Sequence, residues 1–382
     1  MTQANIPLYK QVEEYIMDKI DKKVWLPGHQ LPAETDLAQK FSVSRITTKK
    51  AMEELARRGV ISRKKGQGSF VSFPTGSSKT GANNIISLII PYDSNREELF
   101  DYINGATDFL STRRYYLSIH CTKGESLKRE REYLLQLPRE GIAGIIYYPL
   151  NINSELDILE PMCLDKYPII TIDKRFDSLP ISSVASENYR GTCEVMSRLI
   201  GEGHKRIAFI TRNRIENASS LKDRYSAYCK ALKDHGIHFN VDFVITNYSA
   251  KSLNKNDGGE YLVKRLESLF EQDVTAIFIE SDHQIIKAYQ TLLNKGYKFP
   301  GNFCITGFDN MIVPEWFNVP YISVKQNFYE IGRKAAEMMI NLIEIKDTGC
   351  AKIEIPVQVV HSRDPEGDTE TAAEDFLLET AR

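Results

Sequence analysis

The first part of the chain has hydrophobic positions spaced as in two short helices separated by a tight turn. Leu31–Phe41 predicts the first helix, and Ser42–Ser44 predicts a turn that ends on a common helix-capping residue. Arg45–Arg58 predicts a second helix with Thr48, Ala51, Met52 and Leu55 at i, i+3, i+4 and i+7. That face is expected to be buried, which leaves Arg45 and Lys49 in solvent.

Two short strands are expected to follow, with Gly59 ending the second helix. Val60–Arg63 and Gln67–Val71 flank a basic tip, Lys64-Lys65-Gly66. Helix, turn, helix and a glycine-tipped pair of strands in this order predict a winged helix-turn-helix domain over residues 1–73, which we call the head.

After residue 84 the pattern changes to hydrophobic runs that alternate with amphipathic helical segments. The runs are Ile85–Ile90, Tyr115–Ile119, Ile142–Tyr147, Ile169–Ile172, Ile207–Ile210, Phe243–Thr246, Ala276–Ile279 and Phe303–Thr306. Repeated βα units of this kind predict an α/β fold with doubly wound parallel sheets. Residues 85–361 are too many for one such sheet, so two lobes that divide near Ser186 are expected, with ligands at the carboxyl ends of the strands.

The remaining segments are expected to lie outside these domains. Residues 74–84 are rich in Gly, Ser, Thr and Asn, which predicts a flexible linker. Residues 362–382 form an acidic tail to which no function is assigned.

Charge is divided unevenly along the chain. Residues 1–73 hold 13 Lys and Arg against 8 Asp and Glu, a net charge of +5, and the rest holds 36 against 43, a net charge of −7. The sum is the overall −2. A basic head on an acidic body predicts a polyanionic partner for the head alone.

Several classes of protein are disfavoured by what the sequence lacks. It has no hydrophobic run of membrane-spanning length and no signal peptide, so a cytoplasmic protein without membrane association is expected. Its six cysteines form no C-x-x-C pair and are expected to be reduced, buried thiols. There is no nucleophile elbow, phosphate-binding loop or metal-ligand spacing, so neither an enzyme, a cofactor nor a metal is expected.

The head resembles the GntR family of bacterial transcription regulators. The resemblance rests on Leu26-Pro27-Gly28, Leu31-Pro32-Ala33-Glu34, Val43-Ser44-Arg45 and Lys65 to Val71, and it covers about the first 72 residues. It implies that the second helix enters the major groove of DNA and that the wing tip enters the adjacent minor groove. The implied DNA-binding residues are Glu34, Thr35, Ser44, Arg45, Thr47, Lys49, Lys50, Lys65, Gly66 and Gln67. Thr35 stands where some members have Arg.

The chemistry of three of these residues agrees with such a role. The guanidinium of Arg45 can donate two hydrogen bonds to a guanine, whereas Lys49 and Lys50 are better suited to phosphates.

The body resembles the effector domain of the LacI family, from about Ile85 to Val360. The resemblance rests on Arg206 to Ile210, Asp223 to Tyr228, Thr275 to Asp282, Ile305 to Asn310 and Val324 to Phe328. The helical hinge of that family has no counterpart here. The combination of the two domains is similar to the arabinose-repressor family of Gram-positive bacteria, which favours L-arabinose as the ligand.

The same resemblance implies a sugar site. Its implied residues are Tyr92, Tyr147, Asp173, Lys174, Arg224, Ser281, Asp282, Asp309, Gln326 and Phe328. Carboxylates accept hydrogen bonds from hydroxyl groups, arginine donates to oxygen atoms, and aromatic rings cover the apolar face of a sugar.

Each of these positions also has a structural interpretation. Asp173 and Asp309 are equally compatible with turns, Arg224 with an exposed helix face, and Tyr92 and Tyr147 with the core. His120, expected at the end of the second strand of the body, is more typical of a structural residue than of a ligand.

Together these expectations describe a sugar-responsive repressor. It binds double-stranded operator DNA of pseudo-palindromic sequence as a homodimer and is released by a small-molecule sugar. Two alternatives remain open: a regulator of a non-sugar metabolite, such as a purine or a phosphorylated sugar, and a sugar-converting enzyme with a DNA-binding head.

Overall fold

The chain divides into two compact units that are discontinuous in sequence. Unit 1 comprises Met1–Ala185 and Phe328–Ile353, and unit 2 comprises Ser186–Asn327 and Glu354–Arg382. The chain therefore passes between the units three times, and the first passage lies at Ser186. The computed structural model describes residues 7–22, 24–64, 66–72, 83–92, 99–123, 127–248, 258–282, 289–290, 293–294, 303–310, 321–345 and 349–361.

The head is a winged helix-turn-helix, as predicted. Its elements are α1 (Leu8–Asp21), α2 (Glu34–Phe41), α3 (Arg45–Arg57), β1 (Ile61–Lys64) and β2 (Gly68–Val71). The hydrophobic positions expected to be buried on α3 are buried, and they pack with Val12 and Ile16 of α1 and Leu37 of α2. The first predicted helix is three residues too long, because the chain is extended at Ala33. Helix α1 was not predicted.

Unit 1 contains a six-stranded sheet. Its strands, in spatial order, are β13 (Lys352–Ile355), β7 (Ser182–Ser186), β6 (Ile169–Ile172), β5 (Ile142–Tyr147), β3 (Asn83–Tyr92) and β4 (Tyr116–Lys123). The four central pairings, from β7 to β4, are parallel. The intervening helices are α4 (Leu99–Ser111), α5 (Leu127–Gln136) and α6 (Leu156–Leu164), with a 3₁₀ turn at Leu137–Glu140.

Unit 1 differs from the prediction at three strands. Strand β3 begins at Asn83, so the last two residues of the expected linker belong to the sheet, while residues 73–82 lie outside the described residues. Strand β4 begins at Tyr116 and continues to Lys123, which places His120 within the strand. Strand β7 was missed, because its polar serines are buried only when neighbouring strands cover them.

A late helix completes unit 1. Helix α10 (Phe328–Glu344) packs against α4 so closely that glycine is required on both sides. A Cβ at Gly105 would lie 1.9 Å from the carbonyl oxygen of Tyr329, and one at Gly332 would lie 2.1 Å from that of Tyr102. The hydroxyl of Tyr329 donates to Asp108 at 2.9 Å across the same contact.

Unit 2 contains a second six-stranded sheet. Its strands, in spatial order, are β14 (Gln358–His361), β12 (Tyr321–Lys325), β11 (Cys304–Phe308), β10 (Ala276–Ile279), β8 (Ile207–Ile210) and β9 (Val244–Ile245). Among the described residues of unit 2, the helices with defined bounds are α7 (Asn188–Gly201), α8 (Ser219–Asp234) and α9 (Gly258–Phe270). All pairings are parallel except that β14 is antiparallel to β12. Strands β12 and β14 were not predicted.

Hydrophobic strands form the core of unit 2. Phe209 and Phe278 stack at 5.4 Å on adjacent strands, with Tyr228 of α8 against them. The six cysteines are not joined in disulfides, and the expectation that all are buried is wrong, because only Cys304 is buried, Cys350 is exposed and the other four are partly buried. Within the described residues, none of the helices combines the length and the hydrophobicity that a membrane span requires.

Candidate DNA-binding surface and ligand-binding residues

The amino end of α3 is fixed by a side-chain cap. The hydroxyl of Ser44 accepts a hydrogen bond from the backbone N–H of Thr47 at 3.2 Å and lies 2.9 Å from the Thr47 hydroxyl. Thr48 is buried and donates to the carbonyl of Glu34, which joins α3 to α2. With the helix start fixed, Arg45 extends from the first turn with 73% of its side chain exposed.

Glu34 lies between α3 and the wing, which is formed by β1 and β2. Its Oε1 accepts a hydrogen bond from Arg63 on β1, and its Oε2 lies 3.7 Å from Nε of Arg45. Arg63 also lies 3.7 Å from Glu53. The carboxylate of Glu34 therefore links α2 to β1 through Arg63 and lies next to Arg45 on α3. Arg63 was not predicted as a site residue.

The other predicted DNA-binding residues occupy different environments. Lys49 is exposed and pairs with Glu53 at 3.7 Å, whereas the Lys50 ammonium lies 4.3 Å from the centre of the Tyr9 ring on α1. Thr35 is exposed, and its hydroxyl donates to Asp36 at 3.4 Å.

The wing tip depends on a left-handed glycine. Gly66 has φ +79°, and a Cβ there would meet nothing within 4 Å, so its conformation rather than space requires glycine. The carbonyl of Gln67 accepts a hydrogen bond from Gln30 at 2.8 Å, which holds the wing to the loop before α2. The predicted contact Lys65 lies outside the described residues.

In unit 2, four predicted ligand-binding residues lie together. Ser281 and Asp282 follow β10, Asp309 follows β11 and Gln326 follows β12, and these adjacent parallel strands end at one edge of the sheet. Ser281 donates to Oδ2 of Asp309 at 2.8 Å, and Gln326 donates to its Oδ1 at 2.6 Å. We call Ser281, Asp282, Asp309 and Gln326 the polar cluster.

The two carboxylates of the polar cluster differ in exposure. Asp282 is fully buried and accepts a hydrogen bond from Ser323 at 2.7 Å, whereas Asp309 is partly exposed. Asp309 has φ +103° and Asn310 has φ 53°, so both residues directly after β11 have left-handed backbone conformations. Asp309 therefore has the turn geometry that its structural interpretation expects, and it is also partly exposed.

Arg224 is a buried cation, so its interpretation as an exposed helix residue is wrong. It is 6% exposed, and its Nε donates to Asn188 at 2.9 Å while Nη1 donates to the carbonyl of Glu280 at 2.6 Å. The guanidinium carbon lies 3.7 Å from the centre of the Phe308 ring. Glu280 directly follows β10 and Phe308 ends β11, so Arg224 lies at the same carboxyl end of the sheet as the polar cluster.

In unit 1, Asp173 and Lys174 form an ion pair directly after β6. Nζ of Lys174 lies 2.6 Å from Oδ2 of Asp173 and 4.0 Å from the centre of the Tyr148 ring. Burial lowers the pKa of Lys174, but Asp173 and Tyr148 raise it by more, so the ammonium stays charged. Asp173 has φ +68°, which is the turn geometry that its structural interpretation requires.

Two aromatic candidates in unit 1 are buried. Tyr147, at the end of β5, lies in the hydrophobic core and stacks on Phe176 at 6.4 Å. Phe328 begins α10 and belongs to unit 1, where its ring lies 5.1 Å from that of Tyr102. Tyr92 is the last residue of β3, and its side chain lies outside the described residues.

Glu130, on α5, is a buried acid that the sequence analysis missed. It is fully buried, and its Oε1 accepts a hydrogen bond from the backbone N–H of Leu150 at 2.7 Å. Burial raises its pKa to about 7, opposed by the Leu150 N–H, the Tyr147 hydroxyl and Lys174, and reinforced by Glu155. It ties the segment after β5 to α5.

The two domains have the folds of a bacterial regulator. Residues 8–71 match the profile of bacterial regulatory proteins of the gntR family, and residues 196–363 match the profile of the periplasmic binding protein-like domain. The winged helix-turn-helix and the α/β units are thus those of a transcription regulator and not of an enzyme. The chain combines a GntR-type DNA-binding domain with a periplasmic-binding-protein-like effector domain.

Curated relatives and solved structures agree with this composition. The chain is 25% identical over 349 residues to an arabinose metabolism transcriptional repressor of Geobacillus stearothermophilus, covering 90% of this chain and 93% of the relative. It is 23% identical to the transcriptional repressor PurR of Pasteurella multocida, covering 74% and 82%. The fold is similar to that of the regulator CelR in complex with cellobiose, with a TM-score of 0.63, 20% identity, and coverage of 84% and 90%.

Proposed function

We propose that this protein is a transcriptional repressor that binds a pseudo-palindromic operator and is released by a monosaccharide. The observation that carries the proposal is the polar cluster with Arg224 at the carboxyl ends of the unit 2 strands, in a chain whose head exposes Arg45 on a capped helix. Strand ends of this kind are the usual ligand site of open α/β sheets. Because operators are cytoplasmic, the proposed site of action is the cytoplasm.

The chemistry of the polar cluster suits a neutral polyol. Asp309 already accepts two hydrogen bonds from neutral donors, Ser281 and Gln326, and a sugar hydroxyl is a donor of the same kind. Arg224 is held flat against Phe308, so it keeps a fixed orientation for donating to a ligand oxygen. Within unit 1 itself, Asp173 and Lys174 are a proposed acceptor and a proposed donor for a ligand, and Tyr147 and Phe328 are proposed contacts.

L-Arabinose is the proposed ligand. Its support is that relatives in two organisms are named arabinose metabolism transcriptional repressors, each about 25% identical and covering about nine-tenths of this chain. A purine is the second candidate, because relatives named PurR match about three-quarters of the chain.

We also propose that the repressor is a homodimer. Strand β4 is an edge strand among the described residues of unit 1, and Tyr116 and Ile119 on it are 72% and 44% exposed, with Phe100 of α4 55% exposed. Exposed hydrophobic residues on a sheet edge are typical of an interaction surface, and a second copy is the proposed occupant. A two-fold pair of heads matches a pseudo-palindromic site.

In this mechanism the sugar and the operator oppose each other. Ligand binding favours a dimer geometry in which the two heads cannot bind their half-sites at the same time. By thermodynamic linkage, operator DNA must then weaken sugar binding by the same factor by which sugar weakens operator binding. Equal sugar affinity with and without operator contradicts this mechanism.

A thermal-shift panel tests the ligand directly. Pentoses, hexoses, disaccharides, phosphosugars and purines are compared, because a ligand at about 100 times its dissociation constant stabilises the folded state by roughly 2.7 kcal/mol. L-Arabinose is expected to raise the melting temperature, and Asp309→Asn is expected to abolish the shift. Asp273→Asn, at an exposed aspartate, is the matched control. A shift with a purine alone favours the second candidate.

A further inference from the structure

Three potential metal ligands lie close together at the amino ends of the unit 2 strands, opposite the end that carries the polar cluster. Glu202 and His204 lie in the connection between α7 and β8, and Cys304 is the first residue of β11. One ligand atom from each lies within 4.8 Å of the other two. This edge holds the amino ends of the strands, so it is remote from the polar cluster, which follows their carboxyl ends.

Thr275 holds two of these residues in place. Its hydroxyl lies 2.9 Å from Nδ1 of His204, and its carbonyl accepts a hydrogen bond from the backbone N–H of Cys304 at 3.0 Å. A histidine that binds a metal through one ring nitrogen usually has the other held by a hydrogen bond, which fixes the ring orientation. The Thr275 contact therefore leaves Nε2 of His204 as the nitrogen available to a metal ion.

Access to the cluster is provided on one side. His204 and Cys304 are buried, whereas Glu202 is exposed and its side chain can rotate. Ligand bonds of about 2.0 to 2.3 Å in a tetrahedral site require the donor atoms to be roughly 3.5 Å apart. The three donor atoms lie within 4.8 Å of one another, so they must move closer together to bind a metal ion, and the exposed Glu202 side chain is the one with room to rotate.

We propose that Glu202, His204 and Cys304 form a zinc-binding site in unit 2, with water as the fourth ligand. A thiolate, an imidazole and a carboxylate are the three ligand types that zinc accepts together. Calcium and magnesium prefer oxygen ligands alone, and copper(I) prefers sulfur. This site could not be predicted from the sequence, because Cys304 is remote from His204 along the chain and no C-x-x-C or paired-histidine spacing marks it.

Zinc titration of the full-length protein tests the proposal. After treatment with EDTA and dialysis, the protein competes for Zn²⁺ with a chromogenic chelator. We expect one zinc ion per chain with a dissociation constant below about 10 μM, corresponding to more than about 6.8 kcal/mol of binding free energy. Glu202→Gln changes an exposed residue, so it leaves the fold intact, and it is expected to weaken binding at least tenfold.

Two further measurements separate ligation from a structural effect. Cobalt(II) in place of zinc should give a thiolate-to-metal absorption band that Cys304→Ser removes. His238→Gln and Cys350→Ser replace an exposed histidine and an exposed cysteine outside the cluster, and they should retain zinc. Binding weaker than about 1 mM, or equal losses in the Glu202 variant and the two controls, overturns the proposal.

Discussion

The buried carboxyl of Glu130 gives a prediction in which a substitution stabilises the protein. In the folded chain this side chain is fully buried and its pKa is raised by burial to about 7, from an ordinary value of 4.5. The groups that act on it are Tyr147, Lys174, Glu155 and the backbone N–H of Leu150. Glu130→Gln keeps the shape and the acceptor oxygen for Leu150 but removes the ionisation.

The sign follows from proton linkage. Because the folded chain retains a proton that the unfolded chain releases, Glu130 lowers the free energy of unfolding as the pH rises from about 4.5 through about 7. The difference between the two pKa values corresponds to about 3 kcal/mol. Glu130→Gln should therefore lie within about 1 kcal/mol of the native chain at pH 5 and exceed its stability at pH 8 by up to about 3 kcal/mol.

Urea unfolding of the full chain at pH 5, 6, 7 and 8 measures this effect, and hydrogen exchange over residues 148–155 gives a local measurement. Glu132→Gln, on the exposed side of the same helix, is the matched control and should leave the pH profile unchanged. Parallel profiles for the native chain and Glu130→Gln would refute the reasoning, and so would a Gln variant that is less stable at every pH.

Three other substitutions test the head and the two units. Arg45→Ala should weaken operator binding by roughly 1 to 3 kcal/mol and relax specificity at one base pair in a fluorescence-anisotropy assay; a uniform loss over all sequences would indicate a phosphate contact instead. Gly105→Ala should lower the unfolding free energy by about 3 kcal/mol or more, because the new Cβ meets the Tyr329 backbone, whereas Gly201→Ala, in open space, should not. Arg224→Ala should cost about 3 to 5 kcal/mol, since it leaves Asn188 and the Glu280 carbonyl buried without their donor; calorimetry showing less than about 1 kcal/mol would contradict these contacts.

Local pattern predicted those elements whose burial is visible in the sequence itself. The isoleucine-rich strands β5 and β6 have the predicted bounds, and so does β8, because a central parallel strand is hydrophobic on both faces. The capped start of α3 was equally local, since Ser44 needs only its own helix. Strand β7, Ser-Ser-Val-Ala-Ser, was not visible, because its polar residues are buried by strands far away in sequence.

The site residues also divide into those that were predicted and those that only the three-dimensional fold brings into place. Asp309 and Ser281 were predicted through the resemblance to the LacI effector domain, and the fold brings them within hydrogen-bonding distance of each other. Glu130 lies on a helix whose charged sequence, Leu-Lys-Arg-Glu-Arg-Glu, predicts exposure, and only the fold places that one acid inside. Arg63 likewise becomes a partner of Glu34 only when the wing folds onto α2.

Because α10 belongs to unit 1 but follows most of unit 2 in the sequence, unit 1 cannot complete its folding until late in synthesis on the ribosome. Residues 99–111 of α4 are synthesised long before residues 328–344 of α10, the helix that packs against them at Gly105. At roughly 5 to 20 residues per second this delay lasts on the order of 10 to 45 seconds, during which unit 1 exposes hydrophobic surface while most of unit 2 is already made. We therefore expect nascent chains of this protein to depend on chaperones. A chain that ends before residue 328 lacks α10 and cannot bury the surface of α4 around Gly105.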